Sequence, residues 1–68
     1  MDLNSDNKVM KLLQTLGEEF GVAAQDSMKF VNGNNSAGTR VRKSMQNIKS
    51  LAQQVRLEVQ EQKNSVTA

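Results

Sequence analysis

The sequence contains no cysteine, histidine, proline, tryptophan or tyrosine, and its only aromatic residues are Phe20 and Phe30. Without cysteine no disulfide can form, and without cysteine and histidine the common zinc ligands are missing as well. The remaining Asp and Glu residues follow no EF-hand spacing, so neither a metal nor any other cofactor is expected. The same absences remove the usual general bases and nucleophiles. The neighbouring carboxylates Glu18 and Glu19 would point about 100° apart on a helix and cannot act as a pair. No catalytic residue, no enzymatic activity and no small-molecule substrate are expected. The shortage of aromatic and turn residues argues against an all-β domain. No apolar run is long enough to span a bilayer, so no membrane partner is expected either. The stretch Met1-Asp2-Leu3-Asn4-Ser5-Asp6 is acidic where a signal peptide begins basic, which points to an intracellular protein.

The 68 residues read as a single domain, 1–68. At this size folding buries only about 60% of the unfolded surface. With disulfides and metals excluded, oligomerisation is the remaining source of stability.

Two helical stretches flank one break, Asn32-Gly33-Asn34-Asn35-Ser36, whose Asn and Gly residues suit the left-handed end of a helix. The first helix is expected over about 5–31, the turn over 32–36, the second helix over about 37–63, and a frayed tail over 64–68. Val9, Leu13, Leu16, Phe20, Ala24, Met28 and Val31 recur at helical spacing and predict the inner face of the first helix. Gly17 and Gly21 each cost about 1 kcal/mol relative to Ala inside a helix, and mark either a weak point or a place of close backbone approach. In the second helix Val41, Met45, Ile48, Ala52, Val55 and Val59 form a heptad seam, with Leu51 and Leu57 lying off it.

Matched helices with a short connection predict an all-α, antiparallel helical hairpin. A single hairpin seam leaves apolar residues uncovered, so a dimeric four-helix bundle is the expected assembly. Its oligomer and core residues are Leu13, Leu16, Phe20, Val41, Met45, Ile48, Leu51, Val55 and Leu57. Folding about Asn34 predicts three opposite-charge pairs: Asp26 with Arg42, Glu19 with Lys49, and Lys11 with Glu58.

Charge is unevenly spread. Met1 to Asp26 holds five acids and two bases, whereas Ser27 to Leu57 holds six bases and no acid. Arg42, Lys49, Arg56 and Lys63 repeat every seven residues and form a stripe about 31 Å long on a helix. With Arg40 and Lys43 beside its start, the stripe suits a phosphate backbone. It equally suits the flank of a heptad seam, where long charged side chains cover the core. Gly33 to Arg40 superficially follows a phosphate-loop spacing, but lacks the Lys-Ser/Thr pair and the preceding strand, and reads as a turn and helix start.

The run Gly33-Asn34-Asn35-Ser36-Ala37-Gly38-Thr39-Arg40-Val41-Arg42-Lys43 resembles the central signature of the bacterial histone-like family. That family is related to the chlamydial linker-histone-like protein and is also found in phages and DNA viruses. The resemblance implies DNA association, a role in nucleoid or genome organisation, and a place at the nucleoid in the cytoplasm, or in the host cell or virion if viral. It points to Arg40, Arg42 and Lys43 as phosphate contacts. Joined to the stripe, the expected nucleic-acid-binding residues are Arg40, Arg42, Lys43, Lys49 and Arg56, and the expected partners are DNA and further copies of the chain. The alternative is an assembly module whose helices bind protein.

Overall fold

The computed structural model describes residues 7–67, with side chains described through Ser65. It contains α1, Lys8–Val31, and α2, Asn35–Thr67, packed against each other as the expected hairpin. The molecule measures 53 × 24 × 11 Å, which makes it a slab one helix thick. Such a slab encloses little, and only Ala23, Asp26, Ala37 and Ser44 are buried among the described residues.

Helix ends account for the limits of each element. The Asn7 side chain accepts a hydrogen bond from the Val9 N–H at 2.8 Å, so α1 starts at Lys8 rather than near residue 5. The C-terminus of α1 is a Schellman motif. The Asn34 N–H donates to the Lys29 carbonyl at 3.0 Å, and the Gly33 N–H donates to Phe30 at 2.9 Å. This requires a left-handed residue, and Gly33 supplies it with φ 107°. Asn34 then turns the chain directly into α2, its side-chain oxygen accepting from the Ala37 N–H at 3.0 Å. The connection is therefore Asn32-Gly33-Asn34, shorter than the expected 32–36, and Asn34 caps α2. At the other end α2 stays helical to Thr67, past the expected fraying at Lys63. Asn4 and Ser5, at the expected start of the first helix, lie outside the described residues.

The seam differs from the one that apolar periodicity selects. On α1 the inward residues are Val9, Leu12, Leu16, Glu19, Ala23 and Asp26; on α2 they are Ala37, Val41, Ser44, Ile48, Leu51, Val55, Glu58 and Gln62. Both sets step by three and four, as a heptad seam must. Leu51 is thus on the seam, while Leu13, Phe20, Met28, Val31, Met45 and Val59 are exposed. Leu57 is exposed as well, on the opposite side. Small residues at Ala23, Ala37 and Ser44 allow the two axes to close on each other. Larger side chains are displaced to the flanks.

The register is offset from the expected one for the same reason. Asp26 pairs with Arg40 at 3.0 Å, not Arg42. Glu19 accepts from the Asn47 amide at 3.2 Å rather than meeting Lys49. Glu58 is 3.8 Å from Lys8, not paired with Lys11. In each pair the two partners lie equally far from Gly33 along the chain, so the fold axis passes through Gly33 and not Asn34. The open end is tied by a reciprocal amide pair between Asn7 and Gln62, both bonds 3.0 Å, with Gln62 also donating to Glu58 at 3.1 Å.

Candidate nucleic-acid interface

At about 100° per residue, each helix presents a distinct chemistry on either side of the seam. Asp26 and Arg40, Glu19 and Asn47, and Lys8 and Glu58 all fall on one broad side of the hairpin, together with the exposed Lys11, Glu18, Lys29, Lys43 and Glu61. That side and its seam margin hold five bases and five acids, so their formal charges cancel.

The other broad side is apolar. Leu13, Phe20, Ala24 and Val31 project from α1 within about 40° of one another. Because the helices are antiparallel, Met45, Ala52 and Val59 project from α2 toward the same side. Arg42, Lys49, Arg56 and Lys63 line its outer margin along α2, and among the described residues no acid stands between them. The formal positive charge of the hairpin is therefore carried by this edge.

Of the five residues expected to meet phosphate, three come together. Arg42, Lys49 and Arg56 are exposed on the α2 edge and make no ion pair or hydrogen bond among the described residues. Lys63 continues their line. Arg42 also borders a shallow hollow at the turn end, lined by Phe30, Gly38 and Val41. Arg40 and Lys43 lie on the mixed-charge side instead. Arg40 directs its Nε to the Asp26 carboxylate, whose side chain is 9% exposed against 50% for its own. Adjacent positions in a sequence diverge around a helix, which is why Arg40, Arg42 and Lys43 do not form one cluster.

Sequence reasoning missed Asp26 as the residue that holds Arg40, and the Asn7–Gln62 tie. The signal for the first was present, since Asp26 and Arg40 straddle Gly33 evenly. No group of acidic residues arranged to hold a metal ion occurs among the described residues, and no described helix is long and apolar enough to cross a membrane.

By class the chain is a short helical hairpin with one basic edge, one apolar face and one neutral polar face. Comparison with protein families makes the assignment specific. The family model described as histone H1-like protein Hc1 matches residues 10–65, most of the chain, and the chain belongs to that family. No curated protein and no solved structure matches it.

Proposed function

We propose that this hairpin is a histone-like, non-enzymatic protein that binds DNA without sequence preference and contributes to nucleoid or genome organisation. The observation that carries this reading is the segregation of charge: Arg42, Lys49 and Arg56 follow one another along the α2 edge with no described acid among them, while the charges of the polar side cancel. Arg42, Lys49 and Arg56 contact phosphates and release condensed counterions, which supplies the binding free energy. Arg40 and Lys43 sit on the far side and add little to the same contact. Phe20 is on the apolar face and Phe30 is folded against Gly38, so base stacking does not contribute. A few contacts per chain give weak binding, and several associated copies raise it through avidity. Family membership supports this reading, in which the protein acts at the genome of a cell or, if viral, in the host cell or virion.

Fluorescence anisotropy with duplex DNA over a range of salt concentrations tests it. Three phosphate contacts predict a log–log salt slope of about −3 for each bound chain, and Arg42→Ala should reduce it by about one. Affinity that ignores salt, or no binding at low salt, would rule out the reading.

The uncovered apolar face favours a second role as an assembly module, with the chain self-associating. The two roles are compatible, because the apolar face and the basic edge are adjacent and do not overlap.

A further inference from the structure

The apolar side of the hairpin is too large to remain wet. The accessible surface is 5477 Å², against about 4,200 Å² for a compact monomer of this mass. The excess reflects a slab one helix thick, and of the ten large hydrophobic side chains it leaves exposed among the described residues, seven stand on this side: Met10, Leu13, Phe20, Met28, Val31, Met45 and Val59. Its largest members are well exposed: Phe20 is 62% and Met28 67% exposed.

Within this side, the α1 surface has a particular shape. Met10, Leu13, Phe20, Ala24 and Met28 surround Gly17 and Gly21, and no charged residue interrupts them. A Cβ placed on Gly17 or Gly21 would meet nothing within 4 Å. Neither glycine has a positive φ, so neither is needed for its backbone conformation. Nothing inside the hairpin accounts for two residues that disfavour a helix interior. Together they form a notch one helical turn long, directly beside the exposed ring of Phe20.

We propose that the occupant of this face is a second copy of the chain, with α1 packed antiparallel on α1 of its partner and each Phe20 ring seated in the other copy's Gly17–Gly21 notch. The inference deepens the self-association named above and rests on it. A knob and a hole at the same level of one helix are self-complementary under a two-fold axis, as an isologous dimer requires. An uncharged surface meets its own copy without like-charge repulsion, which the basic margin of α2 would not. The two-fold axis that joins α1 to α1 also brings the two α2 edges to one side of the bundle. Arg42, Lys49 and Arg56 of both copies then run antiparallel along a single basic channel. The DNA contact is thereby doubled by the same step that hides the apolar face.

Sedimentation equilibrium of the full chain, without DNA, tests the interface. Phe20→Ala removes a side chain that is mostly solvent-exposed in the hairpin, so helicity should persist while the dimer dissociation constant rises roughly tenfold or more. Gly17→Ala/Gly21→Ala gives the sharper result. It should preserve or raise the melting temperature, since alanine favours a helix, and still weaken the dimer to a similar extent. Leu57→Ala, on the opposite side, should leave the dimer constant unchanged. A wild-type chain that stays monomeric at submillimolar concentration would overturn self-association and this interface together. A wild-type dimer unaffected by both Phe20→Ala and the double glycine variant would overturn the interface alone. Loss of the dimer in Leu57→Ala would place the contact on the other side and have the same effect.

Discussion

The ring of Phe30 occupies the space in which a side chain at Gly38 would begin: a Cβ there would lie 2.6 Å from Phe30 Cδ1 and 2.8 Å from Cε1. Gly38 lies inside α2, where glycine costs about 1 kcal/mol relative to alanine. The first prediction follows from that opposition. Gly38→Ala should not show the expected gain of about 1 kcal/mol, because the ring must swing out to admit the methyl group. In a Phe30→Ala background the gain should return. Thermal denaturation of the four chains in the cycle, followed by circular dichroism, isolates the coupling.

The Asp26–Arg40 pair is asymmetric in burial, and its variants should be asymmetric in cost. Arg40→Ala leaves a carboxylate that is 6% exposed as a residue without its partner, at a cost of about 1.5–3 kcal/mol. Asp26→Ala leaves a half-exposed guanidinium that water can solvate, and should cost less, about 1 kcal/mol. Urea denaturation midpoints at a constant slope measure both. Equal losses would mean that the carboxylate is hydrated in solution.

The turn predicts a graded series. Gly33→Ala forces a Cβ into the left-handed region and should destabilise the hairpin by about 1–2 kcal/mol. Asn34→Ala removes the cap on the Ala37 N–H, at about 1 kcal/mol, whereas Asn34→Gly should cost only a few tenths. Chemical denaturation resolves the order. Both variants remove the side-chain oxygen, so equal losses would mean that glycine brings no compensating solvation of the Ala37 N–H.

For DNA, the two sides of α2 should behave differently despite their proximity in sequence. Lys49→Ala and Arg56→Ala should each reduce the salt slope by about one, while Lys43→Ala should leave it nearly unchanged. The comparison of Lys43 with Arg42 is the strictest, because the two residues are adjacent. Anisotropy titrations on duplexes of unrelated sequence should show the same losses for each. An equal effect from Lys43→Ala would mean that DNA wraps the turn end rather than following the edge.

The hairpin was legible because its local signals agree: Asn-Gly-Asn breaks the helix, and no proline or aromatic cluster competes. The register was not. Apolar periodicity selected Leu13, Phe20, Met45 and Val59, which are large, while the helices close on Ala23, Ala37 and Ser44, which are small. Hydrophobicity ranks residues by the free energy of burial, but close approach of two axes is governed by size. The pattern did find a real face, the outward one. Glu19 and Glu58 were legible as cross-helix partners but not their mates, Asn47 and Lys8, which depend on the register; Gln62 gave no advance sign, because it becomes tolerable only once Asn7 is in place. The basic edge was legible from the seven-residue repeat of Arg42, Lys49 and Arg56. The separation of Arg40 from it depended on the Asp26 pairing, and therefore on the register.

A formal charge of +2 understates what a polyanion encounters. Opposite signs neutralise each other on the polar face within distances shorter than the screening length, so little field extends beyond it. Around Arg42, Lys49 and Arg56 no described acid cancels the field in this way. On the proposed reading, a hairpin diffusing near a duplex would be turned before it touches, with the α2 margin leading. Capture would then be fastest at low ionic strength, and each chain would arrive already oriented for binding.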